Sequence, residues 1–125
     1  MKTIINSKNA PAPIGPYSQA VMAGNTLFAS GQIAINPATG ELEMSSIEIE
    51  TEQVMQNIKA VLEEADMTFE NIVKCSIFLS SMDSFSKVNE VYGKYFPFNP
   101  PARETVEVSC LPKSVNVEIS FIAIK

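Results

Sequence analysis

Hydrophobic residues recur in two periods along this chain, and the switches between them mark its elements. Alternation of apolar and polar positions, the mark of a half-buried strand, predicts strands in "KTIIN", in "QAVMA" (19–23) and in "TLFASGQIAI" (26–35). "GN" and "NPATG" close the second and third as turn signals. The same alternation returns in "NIVKCSIFLS", where Val73, Cys75, Ile77 and Leu79 are expected on one side, and in "ARETVEVSC" and "VNVEISFIAI". Between these lie two helical patterns. Ser45 and Glu48 have capping-box spacing ahead of a long helix to about Ala65, whose Val54, Ile58, Val61, Leu62 and Ala65 form one stripe. Asp83 or Ser81 is expected to cap a second helix with Phe85, Val88, Tyr92, Tyr95 and Phe96 on a core-facing side, and "PFNPP" stops it.

The resulting order, ββ(β)αβαββ, predicts a single α+β domain over residues 1–125, with both helices on one face of a mostly antiparallel sheet. The short link "LPKS" predicts that the last two strands form a hairpin. In it Arg103, Thr105, Glu107 and Ser109 share one side of the first strand. Val115, Val117, Ile119, Phe121 and Ala123 form the apolar row of the second, with Asn116, Glu118 and Ser120 opposite. That pairing sets Glu118 across from Glu107 and leaves Arg103 about 13 Å further along the ladder. A direct ion pair between them within the hairpin is then not expected. If both serve one site, a bridging ligand, an irregular register or a second subunit must join them.

Composition narrows the chemistry. A net charge of −5 and eight scattered lysines provide no basic patch for nucleic acid. No apolar run approaches a membrane span or a signal-peptide core, which predicts a cytoplasmic protein. Cys75 and Cys110 fall at apolar positions and are expected to be buried, reduced thiols. With no histidine, Ser-His-Asp catalysis, Cys-His catalysis and the usual zinc sites are removed, so acid–base work falls to carboxylates, tyrosines, lysines or water. Arg103 is the only arginine, set just after a double proline. Its planar fork of donors fits a carboxylate as a lysine ammonium does not. Gly31, inside a strand, marks a bulge or a close backbone approach.

Four stretches in order, "APAPIGPYSQA", "FASGQIAINPATG", "VNEVYGKYF" and "PARETVEVSCLPKSVNVEI", resemble the signatures of the RidA (YjgF) family of reactive-intermediate deaminases. The resemblance implies a chorismate-mutase-like α+β fold of the bacillary type, assembled as a homotrimer with clefts between subunits. It implies carboxylate binding by Arg103 and a glutamate near the attacking water at Glu118. Tyr17, Asn89, Ser30, Gly31 and Thr105 would line the substrate cleft, and Thr105 stands where many relatives carry cysteine, which argues against thiol chemistry here. The implied activity is cofactor-free, metal-free hydrolysis of 2-imino acids or their enamine tautomers to 2-oxo acids and ammonia. Against it stand a non-catalytic 2-oxo acid-binding module, a nuclease or translation inhibitor, which the acidic charge disfavours, and a chorismate mutase, for which one arginine is too few cations.

Overall fold

Packing begins with the long helix. Ser46 caps it, its Oγ accepting from the amide of Ile49, and the helix α1 runs Ile47–Glu64. The predicted Ser45–Glu48 capping box does not form: the cap is one residue later, and Ile49 at the third helical position offers no side-chain acceptor. Val54, Ile58, Val61 and Leu62 of the stripe are buried almost completely, and Ala65 follows just beyond the helix. Each of the larger side chains so buried stabilises the fold by about 1.5–3 kcal/mol. The computed structural model describes residues 1–125. Its remaining elements are β1 (Lys2–Ile5), β2 (Ala20–Ala23), β3 (Thr26–Gln32), β4 (Ile72–Leu79), α2 (Phe85–Gly93), β5 (Ala102–Glu107) and β6 (Val117–Ile124). One core of 22 buried residues joins both helices to one row of the sheet, including Leu27, Cys75, Ile77, Leu79, Val117, Ile119 and Phe121.

The six strands lie in the order β1-β2-β3-β6-β4-β5. Every neighbouring pair is antiparallel except β4 and β5, which are parallel. The predicted terminal hairpin is absent: β6 inserts between β3 and β4, and β5 goes to the edge beyond β4. The physical reason is α2, which supplies the crossover that a parallel β4–β5 pair requires. "LPKS" then carries the chain back across β4, in a short 3-10 turn with Lys113 and Ser114 both at positive φ.

This topology reverses one sidedness expectation. Arg103 and Thr105 align with Cys75 and Ile77 of β4, whose side chains are buried toward the helices. In-register neighbours share a face, so Arg103 and Thr105 also face the helices. Glu118 aligns with Phe78 and lies on the open face. Two smaller corrections concern β4 and the cysteines. A register shift between Ile72 and Lys74 buries Ile72 and leaves Val73 exposed. Cys75 is buried as expected, whereas Cys110 lies past the end of β5 and is exposed. Ser81 caps a 3-10 turn, Met82–Ser84, that leads into α2.

Candidate functional site

The open end of the sheet holds the first group of candidate residues. β3 and β6 pair as Ala29 with Phe121, then as Gln32 with Ile119, so three steps on β3 match two on β6. Ser30 and Gly31 occupy this bulge, as the strand glycine predicts. Ser30 is fixed twice, its amide donating to the Gln19 carbonyl (2.9 Å) and its hydroxyl to the Ser18 carbonyl (2.6 Å). The Glu118 side chain folds over Gly31 so closely that a Cβ there would stand 2.7 Å from its carboxyl carbon. Hydrogen is the only side chain that leaves that space free.

A cavity of about 380 Å³ opens at this point, lined by Tyr17, Ser30, Gly31 and Glu118, with Pro11, Ile14, Ile33 and Pro112 among its walls. Its approach loop is held by Gln19, which the sequence reading overlooked. The buried Gln19 carboxamide accepts from the Ser7 amide (2.6 Å) and donates to the carbonyls of Ser7, Ala10 and Pro11. Four bonds from one side chain thereby shape the loop that presents Tyr17. The Glu118 carboxylate accepts no hydrogen bond within the chain, and burial raises its pKa above the ordinary carboxylate value. A partly dehydrated carboxylate with free lone pairs is equipped to orient or deprotonate water.

Glu50 was also missed. It sits four residues before Val54 on the buried stripe of α1, where an acid is out of place; that position was the signal. Its carboxylate accepts from the amides of Asn116 and Val117 and from the Asn116 carboxamide, at 2.7–3.1 Å. The start of β6, two residues before Glu118, is pinned to the helix by these three bonds.

The second group lies on the other face. Arg103 reaches from β5 to α2, where its Nη1 donates to Asn89 Oδ1 at 2.6 Å. Its Cζ lies 5.1 Å from the Tyr92 ring centroid and 5.7 Å from that of Phe85. No carboxylate pairs with it, since the sole ion pair joins Lys74 and Glu104. The Thr105 hydroxyl, on the same side, is buried without a hydrogen-bond partner. The Arg103 fork and the Thr105 hydroxyl thus lie on one face of β5, a pair of donors suited to an anionic group.

Within one chain the two groups stay apart. Arg103 is level with Cys75 and Glu118 with Phe78, three residues along and two strands across. Ladder spacing puts their Cα atoms about 14 Å apart, with the side chains on opposite faces. An irregular register therefore does not unite them.

The chain matches the family described as "Endoribonuclease L-PSP" over residues 7–125, and it belongs to that family, which includes the Rid and YjgF proteins. It is 52% identical over 125 residues to a RutC family protein of Pyrococcus horikoshii, covering 100% of this chain and 99% of that one. The crystal structure of a conserved Rid family protein, YyfA of Yersinia pestis, superimposes with a TM-score of 0.97 at 51% identity, with full coverage of both chains. Escherichia coli TdcF, solved with bound serine, gives a TM-score of 0.94 at 36% identity over 98% of each chain.

Proposed function

We propose that this protein is a 2-iminobutanoate/2-iminopropanoate deaminase, working as a homotrimer with each site shared by two copies. The observation that carries the reading is the separation just described: the unpaired Arg103 fork and the free Glu118 carboxylate, groups suited to a carboxylate and to a water, sit on opposite faces of one chain. A neighbouring copy that lays its open face against the β5 edge and α2 would bring one chain's Glu118 to another's Arg103. The open face favours such a contact, because Ile4, Val21, Phe28 and Ile122 form an apolar row across four strands with no helix over it. A bound amino acid in TdcF supports a ligand carrying a carboxylate beside nitrogen.

The mechanism follows from the groups present. Arg103 grips the carboxylate of the imino acid through paired donors and so fixes the imine carbon over the cavity. Glu118 of the neighbouring copy orients a water and accepts its proton as oxygen adds to that carbon. That proton passes to the imine nitrogen to give a carbinolamine. The carbinolamine hydroxyl then gives up its own proton, again through Glu118, to the amine; the C–N bond breaks to release ammonia, and the carbonyl of the 2-oxo acid forms. The imine is already electrophilic, and the residues assign no step to a metal or cofactor. Ribonuclease activity, which the family description suggests, finds little support in a net charge of −5 and a chain without histidine.

The test couples the protein to a pyridoxal-phosphate threonine or serine dehydratase and follows 2-oxo acid release. Wild type should accelerate it, Arg103→Ala should abolish the acceleration, and Arg103→Lys should lose most of it, because one ammonium cannot reproduce the fork. Acceleration that survives Arg103→Ala rejects the mechanism. Binding of 2-oxobutanoate without any acceleration would instead favour a regulatory module.

A further inference from the structure

Phe85, Asn89 and Tyr92 step by four and three residues, and so share one face of α2. The Arg103 guanidinium lies along that face. Both ring centroids fall within the roughly 6 Å over which a cation is attracted to an aromatic face. Between them Asn89 takes one guanidinium proton at 2.6 Å. Arginine carries five N–H donors and no acceptor, so only the carboxamide oxygen can face it, and the orientation of Asn89 is determined. One donor of Nη1 is thereby used; Nε and Nη2 make no hydrogen bond within the chain, and their shared edge matches a carboxylate. The Tyr92 hydroxyl is buried without a partner, beside the Cys75 thiol, so the ring is the part of Tyr92 that the arginine uses.

The geometry points to a mount: Phe85, Asn89 and Tyr92 hold the Arg103 fork in one orientation before any acid arrives, and Asn89 acts on the arginine instead of on the ligand. All three are positioning residues. Arginine is a long, rotamer-rich side chain, and freedom removed in the folded protein is not lost again on binding. The aromatic faces also displace water from the cation, which strengthens its attraction to an incoming carboxylate. This inference rests on the carboxylate-binding role proposed for Arg103.

A single arginine makes the mount directly readable. In ligand-free protein labelled with nitrogen-15, the one guanidinium Nε–Hε signal should be displaced by the ring currents, and rotation about Nε–Cζ should be slow. Tyr92→Leu and Phe85→Leu should each move the signal toward that of free arginine and weaken calorimetric binding of 2-oxobutanoate about 3- to 20-fold. Tyr92→Phe, which keeps the ring, should recover most of that loss. Asn89→Ala should speed the rotation and weaken binding. Should Tyr92→Leu fail to fold, Phe85→Leu, at a less buried ring, carries the same test. A wild-type signal at the free-arginine position with fast rotation overturns the mount. So does a Tyr92→Leu protein whose signal moves while its affinity stays that of wild type. A mounted arginine in a protein that does not bind 2-oxobutanoate overturns the proposed function and leaves the mount standing.

Discussion

Replacing Gly31 with alanine separates the chemistry of the site from the stability of the fold. Gly31 lies outside the left-handed backbone region, so alanine is allowed there and the penalty is purely steric. The added Cβ would stand 2.7 Å from both Cδ and Oε2 of Glu118 and 2.8 Å from its Cγ. Carbon contacts are comfortable from about 3.5 Å, so the Glu118 side chain must retreat by roughly 0.7–1 Å. A side chain facing a cavity can do that without moving the strands. Overpacking costs about 1–3 kcal/mol, and loss of strand-glycine flexibility returns about 0.5–1 kcal/mol, which leaves at most about 2.5 kcal/mol. For a domain of this size the fall in Tm should not exceed about 10 °C. A catalytic group misplaced by about 1 Å, however, can lose on the order of 100-fold in rate. The dehydratase-coupled assay should therefore show kcat/KM reduced by about 10- to 100-fold in a protein that melts cooperatively. In a Glu118→Gln background the same substitution should cost less than about 3-fold, since the group it displaces is already disabled. Full activity in Gly31→Ala, or equal losses in both backgrounds, would refute the claim that this glycine makes room for a working carboxylate.

Two other substitutions probe the same cavity. Burial raises the folded pKa of Glu118 above its ordinary value of 4.5, so just above pH 4.5 the folded state holds more protons than the unfolded one. Stability should fall as pH rises through that window, and chemical denaturation of Glu118→Gln should show the fall removed while kcat drops by about 100-fold or more. Gln19→Leu keeps the side chain's bulk but strips four hydrogen bonds from the approach loop. It should lower stability by about 2–4 kcal/mol, and hydrogen exchange by mass spectrometry should show residues 7–17 opening faster, with KM rising more than kcat falls.

Local pattern predicted the elements well because each follows from nearby residues. The stripe of α1, the buried row of β6 and the bulge at Gly31 all lie where periodicity and glycine placed them. Sheet order was not legible, because pairing depends on which distant strand buries most apolar surface. The short link after β5 suggested a hairpin, yet Val117 to Ala123 form the most buried row of any strand and belong in the sheet's interior. That central place moved β5 to the edge and turned Arg103 toward α2. Family resemblance supplied the candidate residues individually; their division into two groups on opposite faces emerged only from the register.

Mixed assemblies test the shared site most directly. Arg103→Ala and Glu118→Gln proteins, each inactive alone, should regain activity when unfolded together and refolded at equal concentrations. One intact arginine then meets one intact glutamate at about a quarter of the subunit contacts, so about a quarter of wild-type activity per site is expected. Mixtures as inactive as their parents, in assemblies shown to contain both chains, would contradict a site built from two copies.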